Sequence, residues 1–304
     1  MVTGLRVATP QGSLDLGRAP ASAAGPDLRE LFVGSEGAFG VITEVTLRVH
    51  PVPETTDHAA WSFPDFATGA AALRSVVQAG AAPTVMRLSD EAETGVNLAM
   101  ADKAGGAAVT SGCLAITTFE GSAAHVAARS AEAAALLAAA GGTALGSEPA
   151  AQWEHGRFNA PYMRDSLLDS GVLCETLETA TSWSNLQNLR AAVTGALFTA
   201  LSEQGTPPLV LCHISHTYPA GASLYFTIIC AQADDPTAQW RKAKQAATDA
   251  MVAAGATITH HHAVGTDHRP WMTAEVGDLG VEVLRAVKNV LDPAGILNPG
   301  KLIP

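Results

Sequence analysis

Three glycines spaced three apart, in Gly34-Ser-Glu-Gly37-Ala-Phe-Gly40, run without a break into Val41-Ile-Thr-Glu-Val-Thr-Leu-Arg-Val, an alternating β-branched stretch that reads as a strand. This order constrains the fold more than any other local feature. A dinucleotide-binding crossover needs G-x-G-x-x-G between a strand and a helix. Here the spacing differs and a strand follows, which argues against a Rossmann fold. Lacking Cβ atoms, the run lets backbone N–H groups approach a ligand closely, as phosphates and electron-rich rings require. The same residues also suit a plain turn into a strand, and spacing alone does not choose between the two.

Around this segment the chain alternates between period-two and helical patterns. Gly4 to Leu16 reads as a hairpin around Pro10-Gln-Gly, and Asp27 is placed to cap a short helix after Pro26. Pro51-Val-Pro53 marks a boundary. Beyond it, strands are expected at Ala60–Phe63, Val85–Leu88 and Leu114–Glu120, with helices at Phe66–Ala79 and along the Ala-rich stretch Ala123–Ala140. One helix is expected over Trp153–Leu168, then paired strands at Leu209–Ile214 and Ser223–Ala231 around Tyr218-Pro-Ala-Gly221. A helix over Pro236–Ala254, a strand over Ala256–Thr259 and a last helix over Val276–Leu291 complete the reading. The fold class is α+β, an antiparallel sheet with helices packed on one face.

With 47% apolar residues in 304, the chain can bury a sizeable core. Its 18 basic against 29 acidic residues give a net charge of −11, with no basic run, which excludes nucleic acid as the main partner. Cys113, Cys174, Cys212 and Cys230 are scattered without a C-x-x-C pair, so neither a zinc site nor a disulfide framework is expected, and reduced cytoplasmic thiols fit best. The N-terminus has no secretory pattern, and the Ala-rich stretch is interrupted by His125, Arg129 and Glu132 before Gly141-Gly142. A soluble protein with at most a peripheral membrane contact is expected.

Chemistry concentrates near the C-terminus. His260-His261-His262 follows the expected strand and precedes Gly265; adjacent imidazoles titrate near neutrality and can shuttle protons, though a His-rich tract is also compatible with a solvated turn. Tyr225 alternates with apolar neighbours, so its hydroxyl faces either a pocket or a core partner. Arg87 stands in an apolar strand, where a guanidinium must meet a carboxylate or a phosphate. Arg164 sits beside Asp165 in a helix, near Tyr162, and His213 and His216 lie on or beside the strand leading to Tyr225.

Two segments carry a resemblance. Gly25-Pro-Asp-Leu-Arg-Glu-Leu-Phe-Val-Gly34 through Ile42-Thr-Glu is similar to the end of the FAD-binding domain in the vanillyl-alcohol-oxidase-type flavoproteins, and Leu291-Asp-Pro-Ala-Gly-Ile-Leu-Asn-Pro-Gly-Lys is similar to their C-terminal signature. Between them, Val85-Met-Arg87-Leu, Tyr162-Met-Arg164-Asp, Leu224-Tyr225-Phe and His260-His261-His262-Ala-Val-Gly265 resemble, in order, the alkyldihydroxyacetonephosphate synthase family. The resemblance implies three regions. Residues 1–53 would be the rear of the FAD-binding domain, 54–255 a substrate (cap) domain, and 256–304 a segment returning to the flavin.

It implies FAD as cofactor, with Glu36, Gly37, Ala38, Phe39, Gly40, Val41 and Ile42 lining the flavin. Tyr225 would be the acid–base residue with His260, His261 and His262, and Arg87 and Arg164 would serve the substrate. The implied reaction exchanges the acyl group of acyl-dihydroxyacetone phosphate for a fatty alcohol, without net redox. Departures keep other readings open. The family's pyrophosphate loops lie upstream of Met1, so a second copy or a partner chain would supply the rest of the cofactor domain. Thr266-Asp-His268-Arg-Pro-Trp271 lacks the lysine of the animal enzymes, and the Asn298-Pro-Gly-Lys301 tail is shared with flavin-linked 2-hydroxy-acid dehydrogenases. A dehydrogenase and a non-catalytic fragment are therefore the alternatives.

Overall fold

The computed structural model describes residues 1–102 and 112–304. The strands are β1 (Val2–Thr9), β2 (Gly12–Leu16), β3 (Val41–Leu47), β4 (Thr55–Phe63), β5 (Val85–Ser89), β6 (Cys113–Gly121), β7 (Thr143–Gly146), β8 (Val172–Ser182), β9 (Leu209–Thr217) and β10 (Gly221–Ala231). The helices are α1 (Arg29–Phe32), α2 (Phe66–Gln78), α3 (Glu91–Asp102), α4 (Ala123–Ala139), α5 (Glu148–Gly156), α6 (Ala160–Asp169), α7 (Leu186–Ser202), α8 (Pro236–Ala253) and α9 (Met272–Leu291). The fold is α+β. It divides into two compact units, one of residues 1–51 with 261–304 and the other of residues 52–260. No helix among the described residues is long and apolar enough to cross a membrane.

The first unit carries a three-stranded antiparallel sheet in the order β2-β1-β3. Leu5 and Val7 of the central strand are buried. A Cβ at Gly40 would lie 2.4 Å from Val7 Cγ1 and 3.1 Å from Ala8 O, so the glycine before β3 lets the chain pack directly on β1. Asp27 bonds the Arg29 N–H at the start of α1, while the helix opens at Leu28, one residue later than the sequence implies. The last helix begins at Met272 rather than Val276 and is interrupted at Gly277, whose φ of 74° a side chain would strain.

The second unit is built on a seven-stranded antiparallel sheet in the order β7-β4-β6-β5-β9-β10-β8. Strand alternation divides its two faces. Leu224, Phe226 and Ile228 of β10, Cys212 and Ile214 of β9 and Leu173 and Leu177 of β8 enter one core with Leu73 and Val76 of α2, Leu137 of α4, Leu189, Val193 and Leu197 of α7 and Met251 of α8. On the opposite face α5 covers a smaller apolar patch, where Ala150 and Trp153 pack with Ala60 and Ile116. The remainder of that face carries the polar groups around Tyr225 and, further along β9 and β10, the apolar Leu211 and Ile229.

Two further local expectations are corrected. Trp153–Leu168 is two helices, because α5 ends at Gly156 and Pro161, lacking an N–H, stands in the first turn of α6. Ala256–Thr259 is not a strand. Thr257 makes a single backbone bond to Ala180 and accepts the Thr179 hydroxyl, so its groups are satisfied without a ladder. β8, α3 and α7 are additional elements that the sequence patterning leaves unmarked.

The division of faces is testable at neighbouring residues. Phe226 is fully buried, so Phe226→Ala should cost about 3–5 kcal/mol, while Thr227→Ala, on the half-open face, should stay within about 1 kcal/mol. Urea denaturation of the two variants checks this; equal losses would refute the assignment.

Candidate active site

The polar face of the larger sheet is organised in a row. Glu178 of β8 pairs across with Tyr225 of β10, Tyr225 with His213 of β9, and His213 with Ser89 of β5. Because Leu177, Phe226 and Cys212 are in register one step along and enter the core, these side chains must leave on the other side. Arg87, two residues before Ser89, shares that side.

A bulge interrupts the row next to Tyr225. Leu224 pairs with Ile214 and Ala222 with Thr217, so two residues of β9, Ser215 and His216, stand opposite Ser223. Bulges of this kind re-aim side chains. Here the His216 N–H donates to Ser223 Oγ at 3.0 Å, the two serine hydroxyls are 2.6 Å apart, and Ser215 donates to Glu178 Oε1 at 2.7 Å. His260 Nδ1 lies 3.2 Å and His216 Nδ1 3.9 Å from the same carboxylate oxygen. On its far side His260 Nε2 is 2.8 Å from Tyr218 Oη. Burial, with the nearby Glu178 charge, raises the Tyr218 phenol above its ordinary range, so Tyr218 stays protonated.

At the other end of the row, Arg87 Nη2 donates to Glu93 Oε1 at 2.8 Å and Nη1 lies 2.9 Å from His213 Nε2. The His213 ring stacks on Tyr225 with centroids 4.8 Å apart. Trp153 of α5 lies against the guanidinium at 5.8 Å, and Arg157 flanks the same indole. Burial and the Arg87 charge push the His213 pKa down, which keeps the imidazole neutral. Burial alone would raise the Glu93 carboxyl, but His213 and Arg87 outweigh it and bring it down to about 2. With His213 neutral at neutral pH, Arg87 is the standing counter-charge.

In the smaller unit, the glycine segment and the C-terminal tail meet. Glu36, with φ of 54°, accepts the Val264 and Gly265 N–H groups at 2.6 and 2.8 Å, and its carbonyl accepts from Asn298. Lys288 Nζ donates to Ala38 O, Leu297 O and Asp292 Oδ2. Burial opposes ionisation of Asp292, yet Lys288 and the Ile296 and Leu297 N–H groups hold its carboxyl below the usual range. Ala38 and Phe39 are buried, Gly37 is exposed, and Val41 and Ile42 are 55% and 46% exposed. The exposed backbone at Gly37 lets a flat aromatic ring approach, and Val41 and Ile42, adjacent in β3, expose apolar side chains on the strand's two opposite faces.

The residues expected from the sequence are therefore distributed. Tyr225, Arg87 and His260 lie in the larger unit, with His213 and His216 between and around them. His261 and His262 are exposed at the start of the smaller unit's second segment. Arg164 is exposed on α6 and pairs loosely with Asp165 at 3.8 Å and Glu175 at 3.5 Å. Glu178 and Glu93 belong to no motif; the only trace of Glu178 is a carboxylate in the otherwise apolar-alternating run Val172-Leu-Cys-Glu-Thr-Leu-Glu.

Residues 52–302 match the family of FAD linked oxidases, C-terminal domain, and the chain belongs to that family. The alkyldihydroxyacetonephosphate synthase of Dictyostelium discoideum is 34% identical over 323 residues, covering 100% of this chain and 53% of that protein. A solved alkyldihydroxyacetonephosphate synthase structure has a TM-score of 0.78 at 31% identity, over 99% of this chain and 54% of that one. The mitochondrial D-lactate dehydrogenase (cytochrome) of Arabidopsis thaliana is 27% identical over 312 residues, covering 100% of this chain and 52% of that protein. The chain spans about half the length of the curated relatives it matches.

Arg87 is paired with the Glu93 carboxylate, and this has a measurable consequence. Arg87→Met should destabilise by about 3–5 kcal/mol, because it leaves Glu93 buried without its cation, and adding Glu93→Leu should recover most of the loss. The sign with pH follows from the depressed carboxyl. Its contribution is present above the ordinary value of 4.5 and is lost as pH falls toward 2, so wild type and Arg87→Met should converge over that window. Urea denaturation at several pH values reads both effects.

Proposed function

We propose that this chain is the substrate-handling part of an FAD-dependent enzyme of the alkyldihydroxyacetonephosphate synthase type, exchanging the acyl group of acyl-dihydroxyacetone phosphate for a fatty alcohol. One observation carries the reading. Tyr225 stands on the open face of the sheet, stacked on a neutral imidazole and paired across with a buried carboxylate. A phenol so held can give and take a proton without moving.

In this reading Tyr225 removes a proton from the carbon bearing the ester, the fatty acid leaves as carboxylate, and the proton returns after the alcohol oxygen has bonded to that carbon. FAD, when bound, supplies an electron-deficient ring that takes up and returns the substrate's electron pair, so no net redox occurs. The backbone turn at Gly37, running into β3, would meet that ring. Arg87, anchored by Glu93, holds His213 against Tyr225 and keeps the phenol in place. His260, with His261 and His262 beyond it, serves the proton transfers. Arg164, exposed and only loosely paired, is the candidate for the anionic headgroup.

The 27% identity to a D-lactate dehydrogenase supports a second reading, oxidation of a 2-hydroxy acid. The two part on one measurement. With FAD added, the protein should show a bound-flavin spectrum that D-2-hydroxy acids do not bleach anaerobically, and should incorporate labelled fatty alcohol into product. Tyr225→Phe should keep the flavin spectrum and lose about 10²–10⁴-fold in exchange rate. Bleaching by the hydroxy acid would move the assignment to the dehydrogenase, and a Tyr225→Phe variant within tenfold of wild type would remove Tyr225 from the chemistry.

A further inference from the structure

We propose that Glu178, His216 and His260 form a site for a first-row divalent cation of the zinc class. The donor set is two imidazole nitrogens and one carboxylate oxygen, as in zinc sites that keep a position open for substrate. The spacing agrees. Donors around a tetrahedral ion with bonds of about 2.0–2.2 Å lie about 3.3–3.6 Å apart. The distances from Glu178 Oε1 to His260 Nδ1 and His216 Nδ1, 3.2 and 3.9 Å, bracket that edge, and the donor atoms all fall within 4.8 Å of one another.

The surroundings match what holds metal ligands in place. A ligating imidazole usually donates its other N–H to a second group, and a ligating carboxylate is itself hydrogen-bonded. His260 has Tyr218 Oη at 2.8 Å on Nε2, and Glu178 accepts the Ser215 hydroxyl at 2.7 Å, which Ser223 orients in turn. The Glu178 side chain is 2% exposed and that of His216 is 49% exposed, so the site has a dry floor and a wet mouth. His216 reaches the site only because β9 carries an extra residue opposite Ser223. In an unbroken strand it would point away from the face that Ser215 occupies.

An ion here would leave its open position on the face that carries Tyr225, suited to an anionic or carbonyl oxygen of the substrate. With the ion bound, His260 is a ligand and not a proton carrier, so the proton transfers fall to Tyr225, His261 and His262; that consequence and the substrate role rest on the proposed function, and the metal site does not.

The test uses the untagged full chain, freed of metal by chelator and titrated with Co²⁺, then Zn²⁺. One equivalent of Co²⁺ should bind with the intense ligand-field absorption of a four- or five-coordinate ion, and Zn²⁺ should displace it. His216→Ala and Glu178→Gln should abolish the band, Tyr218→Phe should weaken binding by about tenfold or more, and His125→Ala, on the helical side of the sheet, should change nothing. Circular dichroism confirms that the variants fold, and the wild-type titration stands without them. Wild-type binding no stronger than that of His216→Ala, or an equal loss in His125→Ala, would overturn the site. Failure of the function reading looks different: Co²⁺ binding would persist while the wild-type protein failed to exchange the alcohol and its flavin was bleached by D-2-hydroxy acids.

Discussion

Burial of Leu224, Phe226 and Ile228 decides where Tyr225 can point. Each such side chain removed from water contributes about 1.5–3 kcal/mol, and β8 and β9 lock the same register with Leu177, Cys212 and Ile214. A slip of one residue would exchange the two faces along the whole strand, sending Tyr225 into the core and Phe226 out of it. No interaction within the polar row is strong enough to set that register. The core sets it, and the row Glu178–Tyr225–His213–Ser89 follows as a geometric consequence. The bulge at Ser215-His216 is the one place where strand geometry yields to the site, and it brings both residues to bear on Ser223 and Glu178.

The polar row is costly in isolation. Glu93 is buried, His213 is kept neutral beneath a guanidinium, and Glu93 Oε2 has no hydrogen-bond partner among the described residues. A well-packed apolar trio of similar volume would be at least as stable. What the charged arrangement provides is rigidity: the Arg87 fork grips the carboxylate and the imidazole from fixed directions, and the imidazole plane then fixes the phenol ring stacked upon it. Groups held in this way need no reorganisation when charge moves, which is the physical advantage of a preorganised site. The indole of Trp153, placed by the small apolar patch under α5, closes the other side of Arg87.

Much of the fold was legible because its signals are local. Alternation marked β9 and β10 and the Tyr218-Pro-Ala-Gly221 turn between them, and the helix expected from Pro236 is α8, where the Asp235 carboxylate accepts the Ala238 N–H. The single helix read over Trp153–Leu168 failed because helical periodicity survives a break at Gly156 better than the backbone does. Ala256–Thr259 failed for the opposite reason: β-branched residues raise strand propensity, but a strand exists only where a neighbour offers a ladder. Among the candidate site residues, Tyr225, Arg87 and His260 could be read from motifs. Glu178 and Glu93 could not, since each is defined by the cross-strand partner or the buried cation it meets, more than thirty-five residues away for Glu178 and at a helix start for Glu93.

The smaller unit shows why two distant segments of sequence carry one signature. The glycine run turns at Glu36 and Gly37 with positive φ at both, a conformation that supplies no hydrogen-bond ladder of its own. The tail supplies the missing partners. Asn298 bonds the Glu36 carbonyl, Lys288 spends its ammonium donors on Ala38 O, Leu297 O and Asp292, and the Glu36 carboxylate returns two bonds to Val264 and Gly265. An ammonium offers three donors, and these three acceptors satisfy them in one place. Replacing Lys288 or Asp292 would therefore release the loop and the tail together, although neither residue would touch a ligand lying against Gly37. The glycines allow the backbone its turn; the lysine and the acids at each end make that turn the lowest-energy choice.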